Sequence, residues 1–311
     1  MKVLFLRSGN KGIDPVSTRQ GESLRKAGVE VYYYNITGRG ITGYLRNILP
    51  VRRYIKDNGA DLVHAHYSLC GFIAALSCSR KPVVTSLMGS DVLDCGPFML
   101  FLTRFFSKSV WDMTIIKTAE MKAKLRVKRA VIIPNGVDME MFFPYNKHES
   151  QISLGWNVNS THILFGSDPQ RPEKNYSLAQ KAISIVTGKY KAGSVEVHFL
   201  NDINSDKTVT WFCASDVLLM TSTHEGSSNT IKEAMACNCP IVTTVTGDVK
   251  EVIDGTEGCF LTSFNPEDVA DSLYKAIISG RRTNGRENAA RLESGKISAR
   301  ILDLYRQLLK E

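Results

Sequence analysis

The feature that most constrains this chain is a rhythm: short runs rich in Val, Ile and Leu, each followed by a longer segment of helical periodicity, set out once and then repeated. The first set lies at residues 2–7, 29–34, 61–65, 82–87, 112–118 and 130–134. Runs that are apolar on both faces and separated by helix-length segments predict strands of a parallel sheet covered by helices. The second set lies at residues 162–166, 195–200, 216–220, 240–244 and 258–261, with helices expected over 174–187, 230–236 and 266–279. Two such sets predict an α/β protein of two Rossmann-like, doubly wound domains.

A chain of 311 residues has room for two such cores. The turn-rich segment from Ile133 to Pro144 suits a connection, which places the boundary near 145 and gives domains over 1–145 and 146–295. The remaining 296–311 carries apolar residues at Ile297, Ile301, Leu304, Tyr305 and Leu308. That helical stripe must bury against something, and packing back across the first domain is expected. Ligands of open parallel sheets bind at the carboxyl ends of the strands, so the two domains are expected to face one another across a substrate cleft.

A formal charge of +8 and a pI near 9.1 favour an anionic partner, without choosing among nucleotide, phosphorylated lipid, nucleic acid and acidic membrane. The seven cysteines form one C-x-C and no C-x-x-C, so neither a zinc site nor a disulfide framework is suggested, and a reducing cytoplasm fits. The amino-terminal apolar run is too short for a signal sequence, and no run reaches the roughly 20 residues that span a bilayer. Residues 44–56 and 97–111 mix apolar positions with Arg104, Lys108 and other cations. They read either as core-facing helices with solvated charges or as peripheral contacts with an anionic membrane.

The chemistry concentrates after the predicted strands. Residues 222–236 begin Ser222-Thr-His-Glu-Gly-Ser-Ser-Asn-Thr and open a helix near Asn229 or Thr230. Gly226 lets backbone approach a ligand, and the amides of Ser227, Ser228, Asn229 and Thr230 at a helix start favour a phosphate. Glu225 and Glu233 flank that loop. Carboxylates repel a diphosphate but accept hydrogen bonds from the neutral hydroxyls of sugar and ribose; the plainer reading is an exposed helix with solvated glutamates. In Gly166-Ser-Asp-Pro-Gln-Arg-Pro-Glu-Lys-Asn175, Arg171 and Lys174 follow a strand, either as phosphate-binding cations or as ordinary surface charges.

Residues 221–244, TSTHEGSSNTIKEAMACNCPIVTT, with seven residues between Glu225 and Glu233, closely resemble the E-x7-E region of retaining glycosyltransferases of family 4, the GT-B "glycosyl transferases group 1". Thr246-Gly-Asp-Val-Lys-Glu251, Gly258-Cys-Phe-Leu261 and Ile133-Pro-Asn-Gly-Val-Asp138 also resemble that family, so the likeness spans most of the chain. It implies that Arg171 and Lys174 bind a donor diphosphate, although the family's usual arginine position holds Ser167. It assigns Glu225 to sugar hydroxyls and Glu233 to the nucleotide ribose.

The first domain matches less completely. Asp61-Leu-Val-His-Ala-His-Tyr67 places His64 and His66 on one side of a strand end, and as a metal pair alone they are weak. The resemblance maps a donor-sugar contact onto His66, with His64 as the alternative. Val84-Thr-Ser-Leu-Met-Gly-Ser-Asp91 resembles a family segment ending in His-Gly-x-Asp, but has Met88 for the histidine. Gly89 and Asp91 read equally as acceptor-pocket residues or as a tight turn with a capping aspartate. Arg7-Ser-Gly-Asn-Lys-Gly12 is not G-x-G-x-x-G, which disfavours a dinucleotide site. Where the family has a glycine pair, Gly9 is the expected donor contact, with Asn10 and Lys11 on the acceptor side.

The resemblance implies transfer of a glycosyl group from a nucleotide diphosphate sugar to a glycan or lipid-linked hydroxyl, with retention and with no cofactor. No Asp-x-Asp pair occupies a matching loop, so cations and amides, with no metal, are expected to stabilise the leaving group. The expected setting is cell-surface polysaccharide or glycolipid synthesis in the cytoplasm or at the inner membrane face. The rivals are a sugar-nucleotide epimerase or phosphorylase of the same architecture, a glycosidase using Glu225 and Glu233, and a basic nucleotide- or nucleic-acid-binding protein. No aromatic-basic motif supports nucleic acid as a partner.

Overall fold

The computed structural model describes the chain except Lys11, Ile13, Cys78, Ser79, Lys191, Ala192, Asp202, Asn204 and Glu311, and the side chains of Ser205 and Asp206. The chain divides into two compact units: Met1–Gly136 with Ser294–Glu311, and Val137–Glu293.

In the first unit six strands form one sheet: β1 (Lys2–Ser8), β2 (Glu30–Ile36), β3 (Leu62–His66), β4 (Val83–Ser86), β5 (Met113–Ile116) and β6 (Val131–Ile132), in the order β2-β1-β3-β4-β5-β6. Every pairing is parallel. The second unit has β7 (Thr161–Phe165), β8 (Val195–Phe199), β9 (Val217–Met220), β10 (Ile241–Thr244) and β11 (Cys259–Thr262), in the order β11-β10-β9-β7-β8, again all parallel. Read from its own first strand, each unit runs second-first-third-fourth-fifth. The chain therefore reverses direction across the sheet between the first and third strands. In such sheets the loops leaving those two strands splay apart and open a crevice.

The central strands carry the burial that parallel pairing demands. β3, β4, β9 and β10 are buried at every position, whereas the edge strand β8 is half-buried throughout. Val63, Ile73, Val83 and Trp111 lie in the first core; Ile163, Phe165, Leu219, Val242 and Leu273 lie in the second. Each such side chain stabilises by roughly 1.5–3 kcal/mol relative to exposure. Local chemistry places the helix ends. Asp14 accepts the amides of Val16 and Ser17 ahead of Pro15–Lys26. Asn265 caps Pro266–Ser279, which stops at left-handed Gly280.

The last helix, Ser294–Leu309, buries Ile297, Ile301, Leu304 and Tyr305 within the first unit. Arg286 ties the segment after Val137 into the second unit, donating to the carbonyls of Met139 (2.8 Å) and Phe142 (2.6 Å).

Candidate active site

In the second unit the crevice lies between the loops that leave β7 and β9. The first loop passes through Arg171, the short 3-10 turn Pro172–Lys174 and left-handed Asn175 before the helix Tyr176–Lys189. The other runs from Thr221 to Ser228 and opens the helix Asn229–Ala236. Hydrogen bonds stitch them together: the Thr221 hydroxyl donates to the carbonyls of Lys174 and Asn175, both at 3.0 Å, and the Thr223 amide to Glu173 O at 2.9 Å. Thr244, at the end of β10, donates to Ser222 O at 2.7 Å.

Across this seam Lys174 Nζ meets Glu225 Oε1 at 2.5 Å, with both side chains largely sheltered, and Ser222 Oγ donates to the same oxygen at 2.8 Å. A pair this sheltered is held more firmly than a surface ion pair, and one side of the ammonium can turn to an arriving anion. Glu233 is 9% exposed, so it is not a solvated helix residue. Arg171 is half-exposed and donates to Glu173 through Nε at 2.7 Å.

Beside these stands a buried trio: Ser227, expected from the sequence, with Lys232 and Asp248, which sequence reasoning missed. Lys232, with no exposed surface, donates to Ser227 Oγ and lies 3.4 Å from Asp248 Oδ2, to which Ser227 Oγ donates at 2.7 Å. Burial pushes the Lys232 ammonium below its ordinary pKa, while Asp248 pulls it back up. Read alone, Lys232 is a lysine on a short helix; the one available signal was that its own helix repeat puts it beside buried Ser228 and Met235. Gly247 seats the Asp248 loop: at φ +56°, an added Cβ would lie 2.0 Å from Gly226 O. Only glycine fits. Ser227 and Ser228 are buried, Ser228 makes no side-chain cap, and the buried Asn229 Oδ1 and Asp248 Oδ1 have no hydrogen-bond partner. A helix start that its N-cap side chain leaves uncapped, with orphaned polar atoms around it, suits a ligand with both acceptors and donors.

The first unit has the equivalent crevice after β1 and β3, built differently. His64 is fully buried; its Nδ1 lies 2.5 Å from Tyr305 Oη on the last helix and its Nε2 2.8 Å from Ser86 Oγ. His66 stacks on His64 at 4.5 Å and against Phe5 at 4.6 Å, and its buried Nε2 has no partner. Burial, with Lys117 and Arg7 adding like charge, lowers the His66 pKa to about 3. The imidazole is neutral.

Asp91 is the capping aspartate of the tight turn: it accepts the amides of Gly89 (3.0 Å), Met88 (2.9 Å) and Ser68 (3.0 Å). Burial nevertheless raises its pKa to about 6. Gly9 donates to Ile36 O at 2.7 Å, and the Asn10 side chain both donates to Gly38 O and accepts from Gly38 N. Lys11 lies outside the described residues. On the helix Pro97–Ser109, Phe98, Phe101 and Phe105 share an exposed face. Among the described residues no helix is long and apolar enough to cross a membrane.

Residues 13–141 match the family described as Glycosyltransferase Family 4, and residues 159–279 match Glycosyl transferases group 1. An uncharacterized glycosyltransferase of Methanocaldococcus jannaschii is 26% identical over 292 residues, covering 87% of this chain and 82% of the relative. A D-inositol 3-phosphate glycosyltransferase of a Nocardioides species is 25% identical over 333 residues, covering 86% and 72%. Among solved structures, Anabaena HepE in complex with UDP and glucose superposes with a TM-score of 0.78 at 16% identity, covering 99% of this chain and 100% of that one. Two parallel-sheet units with a shared strand order, matched in sequence on both halves, make this chain a glycosyltransferase of the family 4 type with the GT-B architecture.

Proposed function

We propose that the enzyme moves a sugar from a nucleotide diphosphate sugar to a hydroxyl of a glycan or lipid-linked acceptor, with retention of anomeric configuration and without a metal. The observation that carries this reading is the sheltered Lys174–Glu225 pair at the end of β7 and β9, beside uncapped amides at the start of Asn229–Ala236. Lys174, Arg171 and the amides of Gly226–Thr230 neutralise the diphosphate as its bond to the sugar breaks. Glu225 accepts hydrogen bonds from sugar hydroxyls and Glu233 from the ribose. Lys232 positions the loop through Ser227 and Asp248.

The acceptor oxygen bonds to the anomeric carbon on the face the diphosphate leaves. The acceptor's proton passes to a departing phosphate oxygen, so no protein nucleophile is consumed. The neutral, partnerless Nε2 of His66 suits a hydrogen bond to a sugar hydroxyl, the contact proposed for it. The HepE relative bound to UDP and glucose supports a nucleotide-sugar donor.

Exposed Phe98, Phe101 and Phe105, with exposed Lys108 on the same helix, support peripheral contact with an anionic membrane at its inner face and a role in cell-surface polysaccharide or glycolipid synthesis.

The test is calorimetry of UDP-, GDP- and ADP-sugars without added metal on wild type, Lys174→Ala and Glu233→Ala, followed by assignment of the product anomer. One nucleotide sugar that binds wild type and binds both variants more weakly is expected. Folded protein that binds none of them overturns the reading. Phosphorolysis or epimerisation without an acceptor assigns the site to those chemistries.

A further inference from the structure

Away from the donor loops, two neighbouring strands of the second unit bring together three side chains with no role in the transfer. His162 stands near the start of β7, and Glu196 and His198 stand two residues apart on β8, so both project from one face of that strand. The parallel register sets His162 opposite Glu196. His162 Nδ1 lies 3.0 Å from His198 Nε2, and Glu196 Oε2 lies 3.8 Å from the first nitrogen and 4.0 Å from the second.

Those separations bracket what a shared cation needs. Tetrahedral bonds of about 2.0–2.1 Å put the ligand atoms about 3.4 Å apart. The imidazoles would part by a few tenths of an ångström and the carboxylate would swing inward. Glu196, with 37% of its side chain exposed, is free to do so.

The surroundings have the character of a metal's outer shell. His162 Nε2 is 2.9 Å from the carbonyl of Asn157, which can only accept, so that nitrogen carries the proton and Nδ1 presents its lone pair to the centre of the trio. The Asp216 carboxylate accepts the His162 backbone amide at 2.8 Å. Trp156 stacks flat on the His198 ring, centroids 3.5 Å apart, and Trp211 meets the same ring edge-on at 5.9 Å. His162 is fully buried and the His198 side chain is 15% exposed, so the site opens through Glu196. Two imidazoles, one carboxylate and one open position are a zinc-type donor set.

We infer that His162, Glu196 and His198 bind a single divalent transition-metal ion of the zinc class, which pins the edge strand β8 to β7. This is a structural site, independent of the donor reading. His162 lies at the opposite end of β7 from the loop that carries Lys174.

The test uses full-length protein stripped with a chelator and titrated with Zn²⁺ by calorimetry. Quenching of tryptophan fluorescence by Ni²⁺ or Cu²⁺, which Trp156 reports from its stack on His198, is read in parallel. One equivalent of Zn²⁺ should bind and raise Tm. His198→Phe, which keeps a ring against Trp156, and Glu196→Gln each remove a direct ligand and should each weaken binding by at least the roughly 10–100-fold that loss of an outer-shell partner costs and remove the Tm rise, with the far-UV circular dichroism unchanged. Folded wild type that takes up no stoichiometric Zn²⁺ overturns the inference. So does Zn²⁺ binding of undiminished affinity in His198→Phe, which would place the metal on the free thiols instead.

Discussion

At the end of β3 the polar groups of the first unit turn inward: His64 engages Tyr305 and Ser86 through its two ring nitrogens, and Asp91 binds three backbone amides. At the end of β9, in the same topological position of the second unit, Lys174 and Glu225 hold each other across the crevice, beside a helix start whose amides no side chain caps. The two units share strand order and parallel pairing, so the difference does not come from architecture. It comes from which groups the fold saturates. One crevice ties most of its polar groups to the fold and leaves the His66 Nε2 without a partner; the other holds its charges in pairs that a ligand can enter.

The sharpest way to break this comparison is Lys174→Ala. It should lower kcat/KM for a nucleotide sugar by roughly 10²–10³-fold, about 3–4 kcal/mol of transition-state stabilisation, against a loss of roughly 1–3 kcal/mol of stability from leaving Glu225 without its cation. A stability loss with unchanged kinetics would make the pair structural, like Asp91.

The converse substitution is Asp91→Ala. It strands the amides of Ser68, Met88 and Gly89 and should cost roughly 3 kcal/mol in urea unfolding, with the nucleotide-sugar Kd unchanged. A shifted Kd at unchanged stability would show that the first crevice is not saturated.

Gly247→Ala sharpens the contrast from the other side. Its left-handed backbone and the contact with Gly226 O force the loop to move, which should cost roughly 2 kcal/mol of stability and weaken nucleotide-sugar binding in calorimetry.

The smallest effect is a pH slope. His66 titrates at about 3 in the fold, and burial also pushes His64 well below 6.5; the stability both contribute is fully present above pH 6.5 and is lost as pH falls below it, for His66 down to about 3. Asp91, raised to about 6 from 3.8, acts oppositely: its protonation between those values favours the fold. Each group contributes about 1.4 kcal/mol per pH unit within its window. Between pH 6 and 4 the opposite contributions of His66 and Asp91 offset each other, so the net loss of stability comes from His64 and His198, both pushed down by burial, and is read from urea midpoints. Asp91→Asn, which removes the opposing group, should steepen that slope.

Much of this was legible beforehand. All eleven apolar runs are strands, because a parallel strand buried on both faces must be apolar along its whole length, and that leaves a mark in a single sequence. The helix after Ser228 was legible from its polar loop and apolar repeat; the shared site of the cationic loop and the Glu225 loop was legible only through the family resemblance.

What was not legible depends on partners far apart in the chain. That Lys232 is buried beside Asp248, that Asp91 caps three amides, and that His162 meets His198 all depend on which loops and strands lie side by side. A lysine, an aspartate and two histidines look the same in sequence whether solvated or enclosed. Alternation of apolar runs is local and is written residue by residue. Desolvation and pairing of charge depend on through-space neighbours, and only the tertiary structure decides them.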